Sequence, residues 1–123
     1  MTFALVIGAS FALLAIVLGA FGAHALKDKF PEPRYAAIWE TAVQYHMYHA
    51  LGLVAVGILG FDVILGTTSV LQWASYLMVG GILLFSGSLY VLAVTGVKKL
   101  GAITPLGGLL FIGAWACVII AVI

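Results

Sequence analysis

Four long apolar runs, broken by three short polar stretches, constrain this chain more than any other feature. The first, Phe3 to Ala25, contains no charged residue. About 20 residues at 1.5 Å rise each cross the hydrocarbon of a bilayer, so this run is long enough to span. It is also longer than the roughly 7–15 residues of a signal-peptide core, and no basic residue precedes it. The small-residue site Ala23-His24-Ala25 is therefore read as the end of a membrane helix, not a cleavage site. Hydrophobic residues make up 65 % of the 123-residue chain and charged residues 7 %. Soluble domains carry about 25 % charged residues. A soluble fold of this size has too little interior for so much apolar surface, so part of its solvent is lipid. The net charge of +1 excludes a nucleic-acid partner. The single cysteine, Cys117, sits in an apolar run, rules out an internal disulfide and reads as a small buried hydrophobe.

The polar stretches divide the chain. Leu26 to Arg34 holds five charges and two prolines. Pro31 and Pro33 lack amide donors and fix φ, so helix one ends before them, and Pro33 suits the first turn of the next helix. Phe30 and Tyr35 are expected at the headgroups. Gly60 to Ser69 is a turn region, and Gly96 to Gly101 is the last loop. Thr104-Pro105 reads as a cap and first-turn proline. The expected fold is all-α: an integral membrane four-helix bundle of two hairpins in one transmembrane domain, residues 1–123. Its helices cover about 3–25, 33–60, 70–94 and 104–123. The Lys and Arg residues fall at Lys27, Lys29 and Arg34 in the first loop and Lys98 and Lys99 in the third, with none elsewhere. By the positive-inside rule, these loops face the cytoplasm and both termini lie on the outer side.

Two patterns stand out within the runs. On helix one, Gly8, Ala12, Ala15, Gly19 and Gly22 recur at spacings of four, three, four and three. Such a stripe of small residues lets another backbone approach closely in lipid, and a homo-oligomer is expected. Helix two carries the only crowd of polar and aromatic groups, from Trp39 to Gly52. At 100° per residue, Trp39, Val43, Met47, Ala50, Val54 and Ile58 form an apolar arc expected to face lipid or a neighbouring subunit. Glu40, Gln44 and Tyr48 share another face, with Tyr45 and His49 beyond them and His46 closing the arc. Polar groups in hydrocarbon are expected to turn inward. His46 lies roughly 9 Å deeper than Glu40, and His49 roughly 13 Å deeper. His24, Ser86, Ser88, Tyr90 and Thr104 add polar groups toward the same end of the bundle.

Three readings of this cluster compete. It is a structural hydrogen-bond network, with Glu40 paired to His24 or Lys27. It binds a ligand, a proton or a metal, since His46 and His49 at i, i+3 lie roughly 60° apart. Or it is catalytic. No nucleophile–base signature is present, Ser86 and Ser88 lack an elbow context, and carboxylate supply is one residue. The structural network is preferred, with no metal, no cofactor and no enzymatic activity expected.

Four segments resemble a known family: Gly19 to Leu26, Trp39 to Leu51, Gly87 to Leu92 and Leu100 to Gly108. In that order they are similar to the small membrane family called domain-of-unknown-function 423, itself similar to the eukaryotic transmembrane-protein-256 group. The resemblance covers essentially the whole chain. It implies four membrane helices in a bacterial-type plasma (inner) membrane and no established activity, so no catalytic residue is carried over. His24, Trp39, Glu40, Gln44, Tyr45, His46 and His49 match its motif positions. The reading is a structural or assembly module, or partner of a larger membrane complex. The alternative is a small-molecule, proton or ion binding or transport unit that uses the cluster on helix two.

Overall fold

The computed structural model describes residues 1–123 as helices and short connections, without strands. Four helices are long and apolar enough to cross a membrane: α1 (Thr2–His24), α2 (Arg34–Leu59), α3 (Ser69–Thr95) and α4 (Thr104–Val122). A 3-10 turn, Lys98–Ala102, leads into α4. Helix α3 is continuous but contains a π-helical segment, Ile82–Ser86, in its middle. A π segment inserts one residue per turn and redirects the side chains that follow.

The ends follow from local chemistry. The Thr68 hydroxyl accepts a bond from the Leu71 amide at 3.2 Å and caps α3. Gly96 stops α3 at φ +72°, a left-handed conformation that glycine adopts without steric cost. Pro105 lies in the first turn of α4, but Thr104 does not act as its cap. Its hydroxyl instead meets the Ser88 hydroxyl at 2.6 Å, which ties α4 to α3.

In lipid, helices gain little from the hydrophobic effect and associate through close packing and interhelical hydrogen bonds. Both operate here. The stripe on α1 is a packing face, and it packs inside this chain. Gly8, Ala15 and Gly22 are buried, while Ala12 and Gly19 are half-buried. A Cβ on Gly8 would lie 2.8 Å from the Val54 amide nitrogen and 2.9 Å from the Ala50 carbonyl oxygen, so the two backbones touch. The surface expected to hold a second copy is thus consumed by α2.

Two buried clusters join the remaining helices. Leu53, Val56, Leu71, Ala74, Met78, Ile82, Phe111 and Ala114 unite α2, α3 and α4. Tyr35, Trp39, Leu92 and Ala93 unite α2 and α3 nearer the basic loops. Those loops meet: Gly96 stands against Pro31 and Tyr35. All five Lys and Arg residues therefore gather at one end of the bundle, and Met1 packs at Gly60 at the other.

Candidate functional site

Helix α2 presents its arcs in the opposite sense to that expected. Trp39 and Ala50 are buried, and Val43, Met47 and Val54 are half-buried. Val43 and Val54 lie against Gly19 and Gly8 of α1. Only Ile58 of that arc is exposed. Glu40, Gln44 and Tyr48 are exposed instead. The reason is shape. The small residues of α1 accept a ridge of Trp, Val and Ala closely, and Trp39 fills the space beside Gly22. Its indole N–H donates to the Leu18 carbonyl at 3.0 Å, so this arc also has a polar anchor. A face carrying Glu and Gln offers no comparable fit.

The two buried histidines diverge. His49 is 5 % exposed and points to α4. Its Nδ1 lies 2.7 Å from the Tyr45 carbonyl and its Nε2 accepts from the Trp115 indole at 3.0 Å. A carbonyl only accepts and an indole only donates, so His49 is the neutral tautomer with its proton on Nδ1. Its ring also stacks on Phe111 at 3.5 Å between centroids. His46 is 2 % exposed and points between α1 and α3. Its Nδ1 lies 2.8 Å from the Tyr90 phenol, and the edge of Phe11 meets its ring. Its Nε2 is buried without a hydrogen-bond partner. The two rings do not converge on a common point, so the i, i+3 spacing does not make a shared ligand site.

Polar links join successive helices. Trp39 bonds α1, the Ser86 hydroxyl donates to the Ala42 carbonyl at 2.8 Å, and His46–Tyr90 also crosses from α2 to α3. Ser88–Thr104 crosses from α3 to α4, and Trp115–His49 from α4 to α2. Each link satisfies a group that hydrocarbon would leave without a partner. Trp115, which makes one of them, and Phe111, which stacks on His49, did not stand out in the sequence. Their i, i+4 spacing on α4 is the one signal they carry, and it is common on any buried helix.

Of the other expected members, His24, Glu40, Gln44 and Tyr48 stand apart from this network. His24 is exposed and makes no ion pair with Glu40; the one ion pair in the chain joins Arg34 to Glu32 at 2.6 Å. Glu40 and Gln44 line a pocket of about 480 Å³ together with Lys27, Trp39 and the small residues of α1. Tyr45, 39 % exposed, joins the network through its carbonyl and lines a wider apolar groove with His49, Phe85, Phe111 and Trp115. The cluster thus separates into buried interhelical contacts, made by His46 and His49, and an outward ridge of Glu40, Gln44 and Tyr48.

The model of the family described as "Protein of unknown function (DUF423)" matches residues 18–108, and the chain belongs to that family. It is 54 % identical to the UPF0382 membrane protein YwdK of Bacillus subtilis (strain 168), over 97 % of this chain and 94 % of that protein. It is 50 % identical to a UPF0382 membrane protein of Staphylococcus epidermidis (strain ATCC 12228), over 95 % of this chain and 92 % of that one. A UPF0382 membrane protein of Staphylococcus aureus (strain USA300) is 48 % identical over the same shares. No solved structure matches. The chain is thus a small membrane protein of a family whose description assigns no activity.

Proposed function

We propose that this protein is a non-enzymatic assembly module of the plasma membrane that associates with a second copy of itself along the Glu40–Gln44–Tyr48 ridge of α2, with Gln44 and Tyr48 making the contact. One observation carries the reading. These three side chains lie on the exposed face of a membrane-spanning helix and make no hydrogen bond within the chain. The ridge runs roughly 12 Å along the helix, well into the hydrocarbon. Polar groups there are costly without a partner, and a neighbouring helix supplies one. A second copy fits because the Gln44 amide and the Tyr48 hydroxyl each donate and accept, so each complements itself across a two-fold axis. The five basic residues at one end support placing that end in the cytoplasm and both termini outside. The near-complete burial of His46 and His49 favours this reading over transport, which needs a hydrated path past them.

Cysteine cross-linking in native membranes tests it, in a Cys117→Ser background. Gln44→Cys and Tyr48→Cys should each give a covalent dimer, and Leu83→Cys, exposed on α3, should not. Gln44→Leu should weaken the dimer roughly threefold to fifteenfold, the worth of one interhelical hydrogen bond in lipid. Adducts solely with a different protein would replace the second copy by a larger complex. No adduct at either position would remove the ridge as an interface.

A further inference from the structure

The pocket between the last turns of α1 and the first turns of α2 has a composition that a packing defect would not have. Trp39 and Val43 give it apolar walls, and Gly19 and Gly22 make it concave. Lys27 and Glu40 line it with charges of opposite sign. Neither charge is used by the protein: the one ion pair is Arg34–Glu32, and no side-chain hydrogen bond involves Lys27 or Glu40. Glu40 stands six residues into α2, roughly 9 Å along the axis from Arg34 at the basic end. A carboxylate on a spanning helix is costly without a counter-charge.

We infer that this pocket binds the headgroup of a zwitterionic aminophospholipid, with its phosphate at Lys27, its primary ammonium at Glu40 and an acyl chain along Trp39 and Val43. The occupant needs both signs. An anionic phospholipid satisfies Lys27 but brings negative charge to Glu40. A choline lipid has a cation without N–H groups, and a carboxylate gains charge-assisted hydrogen bonds only from a donor. The apolar walls require an attached chain, which excludes a free phosphoamine. The pocket's lining comes from one chain, and the inference gives Glu40 to the lipid while Gln44 and Tyr48 are left to the second copy.

Native mass spectrometry of the full-length protein in mild detergent tests it, with equimolar dioleoyl phosphatidylethanolamine, phosphatidylcholine and phosphatidylglycerol added. The ethanolamine lipid should be retained about tenfold over each of the others, the effect of one charge-assisted hydrogen bond at the low end of its range. Glu40→Gln should bring ethanolamine and choline lipids to near parity. Lys27→Met should lower retention of all three, because each carries the phosphate. Equal retention of the three lipids by the unaltered protein would overturn the inference, as would a preference for phosphatidylglycerol. An ethanolamine preference that persists in both variants would overturn it too. The same spectra report subunit number, so failure of the lipid site and failure of self-association are read separately.

Discussion

Gly107 offers the sharpest test of how α3 and α4 meet. A Cβ there would run into the Phe85 amide nitrogen, and would lie 2.7 Å from Phe85 Cβ and 2.8 Å from Phe85 Cα. These are backbone-anchored atoms in the π segment, and no side-chain rotation clears them. For Gly107→Ala, α4 must therefore retreat by roughly 1 Å to reach ordinary contact with the Phe85 amide nitrogen, a form of overpacking that costs about 1–3 kcal/mol. The retreat also stretches the 2.6 Å Ser88–Thr104 bond toward the limit of a useful hydrogen bond, adding about 1 kcal/mol. The expected total is about 2–4 kcal/mol. Gly108→Ala is the control one residue along, since its Cβ would find Phe85 ring atoms at 3.9 Å and 4.0 Å, ordinary contact. It should be neutral or stabilising by up to about 1 kcal/mol from helix propensity. Reversible unfolding in mixed micelles, followed by circular dichroism, gives both values. If the two variants agree within about 0.5 kcal/mol, the close approach of α4 to the π segment is wrong.

Three further outcomes follow from the contacts. A double-mutant cycle of His49→Phe with Trp115→Phe should return a coupling of about 0.6–1.7 kcal/mol, and a coupling near zero would remove the Nε2–indole bond. His24→Ala and Glu40→Ala should be additive in stability within about 0.3–0.5 kcal/mol, because the two side chains do not pair; strong coupling would restore that pair. Single cysteines at Lys29 or Lys98 should be protected from an impermeant thiol reagent in intact cells while one at Thr67 reacts, and the reverse pattern would invert the topology.

The fold was legible because it depends on amounts. Length, the scarcity of charge in each run and the prolines of the first loop are enough to place four spanning helices. The stripe from Gly8 to Gly22 was legible as a packing face because its spacing has one physical use. Its partner was not. A small-residue stripe accepts any helix with a matching ridge, and that ridge lay two turns beyond the loop in the same chain. The π segment was likewise invisible. Nothing in Ile82-Leu83-Leu84-Phe85-Ser86 distinguishes it from α-helix locally; it appears where Gly107 admits the Phe85 backbone and Ser86 reaches Ala42.

The reversed arcs of α2 show which force decided. Turning polar side chains inward is a sound rule when the interior offers partners, and His46 and His49 obey it because Tyr90 and Trp115 stand opposite them, with the Tyr45 carbonyl one turn back on α2. Glu40 and Gln44 find no donor or acceptor on α1, whose facing surface is glycine and alanine. What α1 offers is closeness, and dispersion falls off so steeply that a gap of about 0.5–1 Å forfeits a quarter to a half of each contact. The tryptophan–valine–alanine ridge takes that surface, and the remaining polar ridge is left outside. Solitary polar groups on a lipid face are unstable as a final state, so the chain's own packing generates the demand for whatever covers Gln44 and Tyr48. The outward ridge is thus a consequence of how well α1 fits α2, and substitutions that loosen that fit should alter self-association without touching the interface.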